Sequence, residues 1–161
     1  MSTATRTALD IIHDVGLWAD PVRDLGDVDV MRCIRNTCRA GFAHDTSLIT
    51  EAQQRAWWGD GSGKIAYLYI DRRDSVVGYG LLRQTDDGRW WSSVAVLPGH
   101  GGHGYGKAIT SHIIRQSPTG VVWAEARKDN PQADRIHDRR DWEVIGEDER
   151  LWHYRTREGL V

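Results

Sequence analysis

The amino-acid sequence predicts an α/β (α+β) fold: a mixed, mostly antiparallel sheet flanked by helices, with one central βαβ crossover. Three observations carry that expectation. Three runs of alternating apolar residues follow one another closely between residues 64 and 97. Apolar residues recur at helical spacing on either side of them. A single strand, glycine loop, helix and strand unit then occupies residues 90–125. Strands joined by connections as short as Arg72-Arg73-Asp74 and Asp86-Asp87-Gly88 must run antiparallel, whereas a helical crossover returns the chain parallel.

Taken in order, the first 26 residues are weakly patterned, and Ile11 to Trp18 reads as a strand. From Asp27 the positions Met31, Ile34 and Cys38 fall on one helical face, and Gly41 stops the helix. Thr50-Glu51-Ala52-Gln53 is a capping box opening a second helix that ends near Trp58. Glycines at 59, 61 and 63 break the chain before the meander. Its strands are Lys64–Asp71, Ser75–Arg83 and Arg89–Leu97. In the first, Ile65, Tyr67 and Tyr69 share one face and Ala66, Leu68 and Ile70 the other. Apolar residues on both faces predict a sheet covered on both sides. A helix over Lys107–Gln116, a strand over Val121–Glu125 and a helix over Asn130–Arg140 follow, the last capped by Asn130 with Pro131 at its first position. Trp142–Ile145 and Leu151–Arg155 close the chain as a hairpin.

A length of 161 residues bounds the whole to one domain, 1–161, large enough for a core of its own. A net charge of −2 excludes binding of nucleic acid by bulk positive charge, leaving only a local basic face for such a partner. Cys33 and Cys38 form no zinc-ligand pattern, so no metal is expected. No apolar run approaches the 18 or so residues of a membrane span, and no signal-peptide core opens the chain. A cytoplasmic protein without a membrane partner is expected. Eight Trp dominate the aromatics, and the pairs Trp57–Trp58 and Trp90–Trp91 suit core filling or the lining of a pocket.

The densest local signal lies in residues 99–106, where five of eight residues are glycine. Backbone N–H groups bared at the start of a helix suit an anion such as phosphate. Read literally, Gly99-His100-Gly101-Gly102-His103-Gly104 fits a dinucleotide-binding turn, but only one βαβ unit accompanies it. Gly101 to Lys107 fits the start of a nucleotide P-loop, but Ala108 lacks the hydroxyl needed for Mg²⁺.

A third reading accommodates both loop and context. Val94-Ala95-Val96-Leu97-Pro98, followed by the glycines to Gly106, resembles the acyl-CoA-binding motif of the GNAT superfamily of N-acyltransferases. Val96, Pro98, Gly104 and Gly106 match in register, while Gly101 stands where Arg or Gln is usual. Asn130 to His137 with Asp141-Trp142 resembles that family's second motif, with His137 on the position of its Tyr. The resemblance implies acetyl-CoA as co-substrate. Gly101, Gly102, His103, Gly104, Tyr105, Gly106 and Lys107 would then surround the pyrophosphate. The backbones of Val94 and Val96 would pair with the pantetheine arm, and Asn130 would lie near it.

The expected activity is acetyl transfer to the primary amine of a small molecule, amino sugar or peptide by direct attack. His137 could supply the proton to the departing thiolate, merely touch the cofactor, or serve structure. Glu125 is the candidate base, alongside the plainer reading of a solvated strand-end carboxylate. Trp57, Trp58, Trp90 and Ser92 would wall the acceptor site. Two alternatives keep the fold: a nucleic-acid base as acceptor, or CoA binding without chemistry. A homodimer is left open.

Overall fold

The computed structural model describes residues 8–159. Seven strands form one sheet in the order β1-β2-β3-β4-β5-β7-β6. They are β1 (Trp18–Pro21), β2 (Lys64–Ile70), β3 (Val76–Gln84), β4 (Trp90–Val96), β5 (Trp123–Arg127), β6 (Trp142–Glu147) and β7 (Leu151–Thr156). Every pairing is antiparallel except β4 with β5, which are joined through the crossover helix α4 (Tyr105–Ile114). This is the mixed sheet that the connection lengths predict.

Helix α2 (Leu25–Cys38) begins where the Asp24 carboxylate accepts the Asp27 N–H, and it buries Val28, Met31 and Ile34. Helix α3 (Glu51–Trp58) opens with the expected capping box: the Gln53 N–H donates to Thr50 Oγ1, and the Thr50 N–H donates to Gln53 Oε1. Alternation along β2 then sorts the core. Ala66 and Leu68 pack with Met31 and Ile34, whereas Tyr69 packs with Ile109 of α4 and with Ile12. Both sheet faces are therefore covered.

Several boundaries differ from the sequence expectation. Ile11 to Trp18 is not a strand: Ala8–His13 is helix α1, which buries Ile12, and the extended segment begins only at Trp18. Gly16, at φ +79°, turns the chain between them. The crossover helix starts two residues before Lys107, and its partner strand runs on to Arg127. The predicted helix over 130–140 shrinks to one turn, α5 (Ala133–Ile136). Asn130 is not its cap, because its Oδ1 accepts the Gln132 N–H in a tight local turn before the helix starts.

One buried polar pair lies between the sheet and α4. Tyr69 and His112 share a hydrogen bond of 2.7 Å, and burial lowers the His112 pKa to about 4. The unfolded chain takes up a proton there near pH 6.5, whereas the folded chain does not until about pH 4. Stability should therefore fall as pH drops across that window and level off below it, by on the order of 3 kcal/mol from this residue. Urea unfolding at stepped pH checks this, and an unfolding free energy that stays level from pH 7 to 4 contradicts it.

Candidate active site

β4 and β5 meet at a single register pair, Trp91 with Trp123, and then part. On the other side of β4 the Leu97 N–H donates to the Val77 carbonyl, so odd-numbered residues of β4 bond to β3. Strand alternation turns the N–H and C=O groups of Val94 and Val96 the opposite way, into the gap that β5 leaves. An open strand edge thus lies inside the sheet. An extended amide-bearing chain can complete it as an added strand.

At the end of that edge comes the glycine loop. Gly99, Gly102 and Gly104 all have positive φ, and Gly104 at +75° is the N-cap of α4, with no side chain capping the helix. The first turn of α4 therefore keeps its N–H groups for an anion, with the helix dipole behind them. Gly106 faces α5, where an added Cβ would lie 3.1 Å from Ile136 Cγ2. Bare backbone donors, the positive end of a helix and the open β4 edge together fit a pyrophosphate carrying an amide arm, as in CoA.

The parted strands open into a cavity of about 860 Å³. Its opposite wall is the segment from Gly41 to Ile49, which α2 holds in place. Arg35 donates to the carbonyls of Ser47 and Asp45 at 2.5 and 2.7 Å, and Asn36 exchanges two hydrogen bonds with Ile49. From this wall His44 reaches Glu125 on β5, with Nε2 2.7 Å from Oε2. Across β7, His153 Nδ1 lies 3.8 Å from the other carboxylate oxygen, and its Nε2 contacts Asp148 at 3.2 Å. The Glu125 side chain is 19% exposed and that of His44 71%, so a sheltered carboxylate is connected to solvent through an imidazole.

Other predicted site residues fall into three groups. Val94, Ser92, Trp57, Asn130, Glu125 and His137 all line the cavity. His103 and Tyr105 stack on each other, and their side chains line a separate groove with Arg72 and Arg73. Lys107 is engaged by Asp138 at 2.9 Å, and Arg140, more than Lys107, holds that carboxyl far below the usual carboxylate range. Two aromatic expectations are corrected. Trp90 is buried in the core beside Ile113 and Ile114, and Trp58 packs against the core of the α2 face. Trp91 takes the cavity position instead, its Nε1–H donating to Thr85 Oγ1. Period-two alternation explains the exchange, because Trp90 and Trp91 must point to opposite faces.

His137 also departs from its expected role. It is 5% exposed and lies flat against Tyr154, with ring centroids 4.2 Å apart. Its Nδ1 is 2.9 Å from the Ala133 carbonyl, which can only accept, so the ring proton sits on Nδ1. Burial lowers its pKa to about 4, despite the bond to Ala133. At neutral pH its Nε2 is therefore bare and has no proton to give. Ser93, a polar candidate in the sequence beside Ser92, also lines the cavity, as do His44, Tyr79 and Arg83, which the sequence does not single out. The shared face of Trp91 and Ser93 was a readable signal, but nothing local marks His44 or Arg83.

The family model described as "Acetyltransferase (GNAT) family" matches residues 29–142, and the chain belongs to that family. Its members use acetyl-CoA as acetyl donor, and the site geometry above fits that co-substrate. Solved structures share the fold at low identity. A proposed phosphinothricin N-acetyltransferase superposes with a TM-score of 0.72 at 17% identity, covering 87% of this chain and 97% of its own. Spermidine N-acetyltransferase from Vibrio cholerae, in complex with CoA and spermine, gives 0.69 at 12% identity, with 88% and 95% covered. The proposed acetyltransferase yncA from Salmonella typhimurium, with acetyl-CoA, gives 0.69 at 19% identity, with 88% and 94% covered. No curated protein matches by sequence. Among the described residues no helix is long and apolar enough to cross a membrane, and no group of three or more His, Cys, Asp or Glu is placed to hold a metal.

Gly104 gives a direct test of the loop. Gly104→Val forces a β-branched residue into a left-handed conformation and crowds the bared N–H groups. Acetyl-CoA affinity measured by calorimetry should fall at least about tenfold, roughly 1.4 kcal/mol. Retention of full affinity would remove the loop from the binding site.

Proposed function

We propose that this chain acetylates an amine of a small molecule or peptide held between the Gly41–Ile49 segment and the parted strands, with Glu125 as the proton acceptor. The observation that carries the proposal is the meeting of two features in one cavity. The open β4 edge enters from one side, and the Glu125–His44 pair stands at the other.

When bound, acetyl-CoA would supply the thioester whose acetyl group is transferred, and its thiolate would leave with the second proton that the attacking nitrogen gives up. An amine reaches the site mostly as ammonium and must lose a proton before its nitrogen lone pair can attack. Glu125 is sheltered enough to attract the ammonium and takes that proton on its carboxylate. His44 Nε2, already within hydrogen-bond distance, relays it to solvent and restores the carboxylate. Val94 and Val96 offer backbone groups that orient the arm, and Trp57 and Trp91 exclude water from the acceptor side. The bare Nε2 of His137 serves as a hydrogen-bond acceptor in the wall, not as the acid.

Thiol release from acetyl-CoA against a panel of amines tests the activity. Glu125→Gln keeps the shape but removes the acceptor of the proton. It should lower kcat by about a hundredfold or more, while acetyl-CoA affinity stays near that of the wild type. His44→Ala should give a smaller loss, partly recovered in concentrated imidazole buffer. A Glu125→Gln enzyme with undiminished kcat would remove Glu125 from the proton path.

A further inference from the structure

The ionisable groups around the cavity, matched with their partners, leave one cation without an acidic partner and one carboxylate faced only by imidazoles. Arg35 is spent on the Ser47 and Asp45 carbonyls, with 12% of its side chain exposed. Asp45 accepts from the Ser47 N–H and hydroxyl. Asp87 accepts from the Thr85 hydroxyl and the Arg89 N–H, and its other oxygen lies 3.6 Å from Arg89 Nε. His137 is neutral at ordinary pH. The carboxylate is Glu125, hydrogen-bonded to His44 and faced by His153, and the cation is Arg83, which makes no ion pair among the described residues.

Their separation follows from the sheet. Arg83 pairs with Trp91 on β4, Trp91 is level with Trp123 on β5, and Glu125 lies two residues further along β5. Two strand spacings and two residue rises put their Cα atoms at least about 12 Å apart. Both residues line the same cavity, with Trp57 and Trp91 in its wall between them. The neighbour of Arg83 on β2, Lys64, is also basic, but its charge is taken up by Asp60. Its Nζ lies over the Trp57 ring at 4.8 Å.

We propose that the acceptor is an amine that also carries an oxyanion, such as a carboxylate or phosphonate. Its amine is placed at Glu125 and its oxyanion is held by the Arg83 guanidinium. This deepens the acetyl-transfer reading and rests on it. Guanidinium matches a carboxylate or phosphonate with two parallel N–H donors, so the contact selects by geometry as well as charge. The same arrangement disfavours a polyamine. Glu125, faced by imidazoles alone, serves one ammonium, and a second ammonium at the far end of the cavity would meet Arg83.

The test uses the full chain with acetyl-CoA and three kinds of acceptor. These are free L-amino acids and aminoalkylphosphonates, the carboxamides of the same amino acids, and spermidine. The wild type should favour an oxyanion acceptor over its carboxamide by roughly tenfold to a hundredfold in kcat/KM, expressed mainly in KM. In Arg83→Gln that ratio should collapse toward one, with Arg83→Lys between the two. Melting temperature and acetyl-CoA affinity verify that the variants fold. Preference for spermidine or the carboxamides, or an undiminished ratio in Arg83→Gln, would overturn the oxyanion acceptor and leave acetyl transfer standing. No thiol release with any amine, while acetyl-CoA still binds, would overturn acetyl transfer and the oxyanion acceptor with it.

Discussion

The parting of β4 from β5 is the constraint on which the site depends. One register pair, Trp91 with Trp123, joins the two halves of the sheet. Beyond it, the N–H and C=O of Val94 and the N–H of Val96, which would ordinarily pair along a ladder, are left to a ligand, while the Val96 carbonyl accepts from Cys38 Sγ. Unpaired backbone polar groups inside a fold are costly unless they find partners. The wedge therefore behaves as a receptor for an extended, amide-bearing chain. The glycine loop then meets whatever anion terminates that chain, and the cavity meets whatever lies at its other end. One geometrical fault in the sheet sets the order in which donor and acceptor are presented.

The ionisable groups follow from burial and pairing. The stack of His137 on Tyr154, with Trp142 edge-on, keeps the imidazole dry and neutral. Family resemblance places an acid at this position, but the bond from Nδ1 to Ala133 shows where the single ring proton resides. The proposed proton path lies on the more exposed side, where His44 and His153 flank Glu125. The acceptor wall shows the same economy, because its other acids and its other arginine are committed to holding loops.

Much of this was legible in the sequence where the causes are local. The Thr50 capping box and the alternation in β2 act within a few residues, and each appears as read; the glycine loop lies between a strand and a helix as read, though the helix opens at Tyr105. The one-turn α5 was misread because Asn130 spends its side chain on a local turn, and because Asp138 takes up the Arg140 and Lys107 charges just beyond. Trp90 and Trp91 were distinguishable in principle, since adjacent strand residues face opposite ways. The His44–Glu125 contact was not legible at all. It joins residues 81 apart and exists only because Arg35 and Asn36 fold the intervening loop onto the cavity.

The central claim is that the gap between the parted strands receives the extended arm of acetyl-CoA. Residue-resolved amide exchange of β4, with and without acetyl-CoA, addresses it most directly. The Val94 and Val96 amides face the gap and should become strongly protected on binding, whereas Ser93 and Ala95, already bonded to β3, should change little. Saturating acetyl-CoA with no added protection at Val94 or Val96 would contradict the account.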